Sequence, residues 1–393
     1  MNTYPRYYDD PYQKTLETTV RSVTGSEVIL TETIFYPEGG GQGGDWGTVN
    51  ECRVTDTIKN KEGEIIHFVE NPTFGVGDSV TLKLDWKRRY HFMKNHTAQH
   101  TTSGLLYSHF GIGTVSVHLG NEVMTIEIDK DELSDSVGYE LQSLVNAIIL
   151  EGHEVTAEEQ SHEDAEKLGL RRSIKVDGNV RLIHVEEVDT IACGGLHVRN
   201  TQEIELFLYQ GQERIRGHVR LIFIVGEIAW QRIHENKNIV DELGTLYSAP
   251  PAVLVETATK AQEVAKENSL LVNDLRLALA RALLEQRLAS ANEHNSYRVI
   301  TWEVSEAITL KELGQVASQF DNLALAAVHR IEGKLTWLIV LTGSAEEAYD
   351  FGKNRNLFLS PIKGKGGGRP PIYQGVGEGD VNGFFMTFSK GVR

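Results

Sequence analysis

Residues 14 to 85 carry short runs in which apolar and polar side chains alternate: TLETTVRSV, SEVILTETIF, ECRVTDTI, EIIHFVE and SVTLKLDW. A period of two places every second side chain on one face, which is the pattern of a half-buried strand. Turn signals separate the runs at Thr24-Gly25, Asn60 to Gly63 and Gly75 to Asp78. Short strands at this spacing predict a small antiparallel β-barrel. Cys52, inside NECRVTDT, is expected as a packed side chain. Gly39, Gly40, Gly41, Gly43 and Gly44 fall between two of the strands, where they permit close backbone approach to a ligand. This is no phosphate loop, because the Gly-Lys-Ser/Thr ending and a following helix are absent.

From Trp86 the pattern becomes mixed. A helix is predicted near Lys87 to Phe110 and another near Asp131 to Glu151, with strands at GTVSVHLG, VMTIEID, VRLIHVEEV, EIELFLY and VRLIFIV. Helices in one layer on one antiparallel sheet make an α+β domain. From Glu227 the chain reads as helical apart from Ala249-Pro250-Pro251. There Ala261, Val264, Asn268, Leu271, Leu275, Ala278 and Ala282 follow alternating three- and four-residue steps, either a coiled-coil seam or a packed helix arm. From Tyr297 strand-like RVITWE, LALAAVH and LTWLIVL alternate with helical segments and end in a glycine loop, GKGGGRP. The expected fold class is therefore α+β multidomain: a barrel at 1–85, an α+β domain at 86–226, a helical linker at 227–296 and a small α/β domain with a glycine-rich loop at 297–393.

Two half-sites carry candidate chemistry: His96 and His100 in NHTAQH, and Cys193 and His197 in ACGGLHV. One thiolate and three imidazoles form a ligand set that Zn²⁺ prefers over harder metals. Residues four apart on a helix share a face, so His96 and His100 can grip one ion. Gly194 and Gly195 disfavour a helix and let a tight loop aim Cys193 and His197 at the same point. The plain alternative is that these are partly buried helix histidines and a small core cysteine. A metalloprotease is disfavoured, since Thr97 stands where such a helix carries its general-base glutamate.

Composition narrows the class. A net charge of -16 argues against a generic nucleic-acid coat, so any RNA contact needs local cations. Lys87, Arg88 and Arg89 with Lys94 form one cluster; Lys363, Lys365 and Arg369 in the glycine loop form another. Each also reads as a solvated surface. Two cysteines cannot build a disulfide framework, and a thiolate ligand suits a reducing compartment. No secretory leader opens the chain and no apolar run approaches membrane-spanning length, so a cytoplasmic protein is expected.

The segments FYPEGGGQ, DWKRR followed by NHTAQH, CGGLHVRNT and GKGGGRP occur in the order found in AlaX-type alanyl-tRNA editing proteins. The chain resembles their long form, which adds a helical stretch and a C-terminal domain like that of alanyl-tRNA synthetase. The resemblance implies an editing domain like those of threonyl- and alanyl-tRNA synthetases. It also implies an aminoacyl-tRNA deacylase that hydrolyses tRNA(Ala) mischarged with serine or glycine, acting on the acceptor end with Zn²⁺. By motif, His96, His100, Cys193 and His197 would be the metal site. Thr97 would belong to the amino-acid pocket, with Gly40, Gly41 and Gln42 beside the substrate.

Four protein ligands close a tetrahedron, whereas catalysis needs an open position, so His197 is expected to bind loosely and handle protons. Leu196, Gln202, Gly43 and Pro371 depart from the family pattern, at positions where it usually has Thr, Gly, Pro and Asp. No Asp-His-His motif exists, which removes phosphoesterase chemistry from the C-terminal domain. Its remaining roles are tRNA grip, through Lys365 and Arg369 alongside Lys87, Arg88 and Arg89, and self-association; a homodimer would form through the helical linker or this domain. A full synthetase is not expected, because the barrel opens the chain with no activation domain ahead of it. Two other classes stay open: a non-catalytic tRNA-binding module with structural zinc, and a zinc-dependent hydrolase of another ester.

Overall fold

A computed structural model describes residues 2–174, 178–291, 293–294, 296–305, 307–331 and 334–391. The chain forms two compact units, Met1–Glu242 and Leu243–Arg393. The first combines the regions expected as barrel and α+β domain with the opening of the helical stretch.

The alternating runs close into a six-stranded barrel, ordered Thr15–Thr24, Glu27–Leu30, Ile65–Val69, Cys52–Lys59, Gly47–Val49 and Ser79–Leu84. Its apolar set, including Val20, Val28, Leu30, Phe35, Val54 and Leu82, faces inward, and Cys52 packs with it. His67 is fully buried there; its ring nitrogens meet the Thr33 hydroxyl at 2.8 Å and the Val28 carbonyl at 3.1 Å.

The helix Trp86–Phe110 leaves the barrel directly. Asp85 caps its start by accepting from the Arg88 N–H at 3.1 Å, and Gly111 ends it in the left-handed region at φ 64°. Its middle is buried although it is largely polar, from Asn95 through Ser103. Part of that polarity is absorbed within the helix: the Thr101 and Thr102 hydroxyls donate to the carbonyls of Thr97 and Ala98 at 3.0 and 2.6 Å.

Around this helix the α+β region forms two antiparallel sheets where one was expected. One runs in the order Phe207–Ile215, His218–Val225, Met124–Ile128, Thr114–Leu119; the other comprises Val155–Ser161, Asn179–Val185 and Asp189–Ala192. The strand Val155–Ser161 was not anticipated. Its pattern is one buried residue followed by exposed ones, so periodicity carries no signal there. The second helix, Asp135–Glu151, lies close enough to the first sheet that a Cβ at Gly138 would stand 2.4 Å from the Tyr209 ring.

In the second unit, helix Leu254–Ser290 presents Val264, Leu271 and Leu275 of the expected seam to solvent, while Ala280, Leu284 and Leu288 pack against the α/β body. A six-stranded sheet follows, ordered Glu293–His294, Tyr297–Glu303, Leu323–Ile331, Lys334–Leu341, Ile372–Gly377 and Lys365–Arg369. The glycine segment expected as a loop is therefore an edge strand. A Cβ at Gly375 would stand 2.0 Å from the Lys365 carbonyl oxygen, and one at Gly366 2.3 Å from that of Gln374. These glycines let two strands and the Trp337 ring approach closely, a packing role that composition does not separate from a loop.

Candidate metal centre

Helix Trp86–Phe110 carries His96 and His100 one turn apart, and the loop after strand Asp189–Ala192 carries Cys193 and His197. The two half-sites meet, with one donor atom from each residue lying within 4.8 Å of all the others. Ring centroids are 4.4 Å apart for His96 and His197, 4.5 Å for His100 and His197, and 5.0 Å for His96 and His100. Cys193 Sγ stands 3.3 Å from His96 Nε2. The approach requires glycine in the loop, because a Cβ at Gly195 would lie 1.9 Å from His96 Cε1.

Several hydrogen bonds hold the loop in place. Arg181 Nη1 donates to the carbonyls of Cys193 and Gly195 at 2.9 and 2.8 Å, and the Tyr8 hydroxyl donates to that of Gly194 at 2.9 Å. The Leu196 N–H donates to Gln42 Oε1 at 3.2 Å, and the Val198 N–H to Thr97 Oγ1 at 3.2 Å. The same two side chains touch the donor set: Gln42 Oε1 is 3.1 Å from His96 Nδ1, and Thr97 Oγ1 is 3.1 Å from His197 Nδ1. Gln42 follows a tight turn in which Gly39 and Gln42 exchange backbone hydrogen bonds of 3.0 Å over Gly40 and Gly41, at φ +62° and +86°.

The electrostatics favour neutral imidazoles. Burial, then the charge of Arg181, holds His96 down to about 3, and burial takes His100 and His197 well below the ordinary histidine value. Burial pushes the Cys193 thiol up, opposed by the Gly195 N–H and by Arg181. His100 Nδ1 and His197 Nε2 are buried and have no protein partner. Unpaired buried nitrogens are costly unless something else meets them. Neutral imidazoles and a thiol converging on one point fit a transition-metal cation.

The expected basic cluster is not one surface. Arg89 is fully buried; it pairs with the Asp45 carboxylate and donates to the carbonyls of Pro11 at 2.9 Å and Ile34 at 2.5 Å. It has no surface to offer RNA, which corrects the expectation. Arg88 lies over the Trp46 ring at 3.7 Å and donates to Gly44 and Asn121, each at 3.0 Å. Lys94 is buried against Glu205, and exposed Lys87 meets Glu227 at 3.0 Å. Lys365 and Arg369 are exposed on the edge strand of the second unit. Sequence reasoning missed Arg181 and Tyr8, whose role depends on where the loop folds back.

Fold and site define a protein with a six-stranded barrel and a mixed α/β body holding one imidazole–thiol centre able to take a metal. Residues 8–88 match the family model of class II (A) tRNA synthetases, and 180–223 that of the threonyl and alanyl tRNA synthetase second additional domain. The chain is 30% identical over 389 residues to an alanine–tRNA ligase of Pyrococcus abyssi, covering 94% of this chain and 41% of the ligase. It thus spans between about a third and two fifths of such ligases, 32% of the one from Thermococcus kodakarensis and 42% of the one from Pyrococcus furiosus. It is 30% identical over 321 residues to the alanyl-tRNA editing protein AlaX-L of Pyrococcus horikoshii, covering 77% of this chain and 78% of the relative. Against the alanyl-tRNA editing protein Aarsd1-A of Xenopus laevis it is 27% identical over 362 residues, covering 90% and 85%. The chain belongs to the AlaX-type alanyl-tRNA editing protein family. Among the described residues no helix is long and apolar enough to cross a membrane.

Proposed function

We propose that the protein is a trans-editing hydrolase that deacylates mischarged tRNA(Ala), chiefly Ser-tRNA(Ala) and also Gly-tRNA(Ala), in the cytoplasm. The observation that carries this reading is the convergence of His96, His100, Cys193 and His197, with Gln42, the residue after Gly40 and Gly41, in contact with His96. His96, His100 and Cys193, with His197 close by, would hold Zn²⁺. When bound, it supplies Lewis acidity toward an ester carbonyl or a water.

The chain's own residues supply the proton path. In the tautomer whose Nδ1–H donates to Thr97 Oγ1, His197 keeps a lone pair on Nε2, the nitrogen buried without a partner. Burial keeps that ring neutral, which leaves the Nε2 lone pair in place. His197 takes a proton from the attacking water, whose oxygen bonds to the ester carbon. As the bond from that carbon to the ribose oxygen breaks, the proton passes to the ribose.

Selectivity rests on Thr97. Its oxygen receives the Val198 N–H and, in that same tautomer, the His197 Nδ1–H, so its own O–H is left to bond the serine hydroxyl. Alanine would leave that group unpaired, at a cost of about 1–3 kcal/mol. This is the reverse of a synthetase pocket, which cannot strongly reject an added hydroxyl. Gly40 and Gly41 let the backbone approach the acceptor end, and Gln42 lies inside the turn. Lys87, Arg88, Lys365 and Arg369 remain as tRNA contacts, and self-association through the helical stretch or the C-terminal domain completes the reading.

The test is deacylation of Ser-tRNA(Ala), Gly-tRNA(Ala) and Ala-tRNA(Ala) with and without chelator. Hydrolysis of the first two that chelator abolishes is expected. Intact esters throughout, with a lower melting temperature after chelation, would mean that a metal only staples the domain. Hydrolysis indifferent to the tRNA body would mean another ester. Thr97→Val should raise Ala-tRNA(Ala) hydrolysis relative to the serine ester, and an unchanged ratio removes Thr97.

A further inference from the structure

Gln42 touches both half-sites with one atom. Its Oε1 lies 3.2 Å from the Leu196 N–H on the loop and 3.1 Å from His96 Nδ1 on the helix. A backbone N–H only donates, so the group facing Leu196 must be the amide oxygen, and the amide cannot be flipped. The same oxygen faces His96 Nδ1, which must therefore carry a proton. In a neutral ring this leaves the lone pair on His96 Nε2, the nitrogen 3.3 Å from Cys193 Sγ. Leu196 thus sets the Gln42 amide, and the amide sets the His96 tautomer.

The other end of that amide is unspent. Gln42 is fully buried, yet its Nε2 has no hydrogen-bond partner. It is bonded to the carbon that bears Oε1, so it sits a few ångströms from the His96 ring, in the residue that follows the exposed Gly40 and Gly41. A buried amide donor without a partner has lost its water with nothing in exchange, a cost offset only if something arrives to accept from it.

We propose that Gln42 works at both ends: Oε1 fixes the tautomer in which His96 offers Nε2 toward Cys193, and the Nε2 amide donates to the carbonyl oxygen of the aminoacyl ester. The second role rests on the functional reading above. As the water oxygen bonds to the ester carbon, the carbonyl π pair moves onto oxygen, and the Gln42 N–H meets the charge gathering there. When C=O re-forms, the bond to the ribose oxygen breaks and that oxygen takes the proton drawn from water. A fixed donor placed where charge develops costs no reorganisation during reaction.

Two variants of the full chain separate the roles. Gln42→Glu keeps an acceptor for Leu196 and His96 but deletes the amide donor. It should bind Zn²⁺ at least as tightly as the wild type in competition with a metal-indicator dye, while kcat falls roughly a hundredfold to a thousandfold. Its KM should stay within about twofold. Gln42→Met deletes both functions and should in addition weaken Zn²⁺ binding roughly tenfold to a hundredfold. On the wild type, imidazole ¹⁵N shifts should show His96 protonated at Nδ1, a readout that needs no variant to fold.

Wild-type kcat in Gln42→Glu overturns the donor role. Unaltered Zn²⁺ affinity in Gln42→Met, or a proton on His96 Nε2, overturns the tautomer role. If wild-type protein loaded with Zn²⁺ hydrolyses none of the three esters, the functional reading fails and takes the donor role with it, while the metal titrations and ¹⁵N shifts still decide the tautomer role.

Discussion

Asp45→Asn should destabilise the first unit while leaving its shape intact. Asp45 and Arg89 are both fully buried and paired, and no water reaches either to replace a lost partner. Asparagine matches aspartate in size and keeps an oxygen to accept from the Tyr36 N–H, which donates to Asp45 Oδ2 at 2.6 Å. What disappears is the countercharge, leaving a guanidinium held among carbonyls. Breaking a buried pair from one side costs about 3–5 kcal/mol. For a unit this size each kcal/mol moves the melting temperature about 2–4 °C, so the transition should fall by about 6–20 °C. Calorimetry on the full chain would show it as a shift of one transition, since the chain has two units. The double variant Asp45→Leu/Arg89→Met should recover part of the loss. It removes the stranded charge but leaves the Tyr36 N–H and the Pro11 and Ile34 carbonyls without these partners. A shift in Asp45→Asn below about 2 °C would refute the reasoning. Arg89→Met with unchanged melting and weakened tRNA binding would return Arg89 to the RNA surface.

Gly195→Ala places a Cβ where His96 Cε1 lies 1.9 Å away, so ring or loop must move; Zn²⁺ titration should show lost affinity, and wild-type binding would mean the loop yields freely. Burial holds His67 down to about 4 in the folded barrel, whereas the unfolded chain protonates near 6.5. The unfolded state therefore binds the extra proton as pH falls through that window, and His67 stabilises the fold above it. Its share, lost from pH 6.5 down to about 4, is about 1.4 kcal/mol per pH unit, or roughly 3 kcal/mol in all. Urea unfolding across that range should show a shallower decline in His67→Gln, and parallel slopes would contradict it.

Much of the site was legible because its signals are local. The four-residue step from His96 to His100 is a property of any helix, and Gly194-Gly195 announces a loop wherever it folds. The alternation from Thr15 to Leu84 likewise specifies strands by side-chain period alone, and those strands close as a barrel. Signals with two readings misled. Lys87-Arg88-Arg89 looks like a surface cation run, yet burial separates its members. GKGGGRP looks like a loop, yet its glycines admit a neighbouring strand and Trp337.

Sequence determined the period of each element and the types of donor atoms available, because backbone geometry and side-chain chemistry act over a few residues. Only the tertiary structure decided which charge is buried, which imidazole nitrogen faces which neighbour and which amide hydrogens go unpaired. Those outcomes rest on partners distant in the chain: Asp45 for Arg89, Leu196 for Gln42 and Gln42 for His96. Hydrogen bonds and desolvation respond to what stands within a few ångströms, and residues far apart in sequence become neighbours only when the chain has folded.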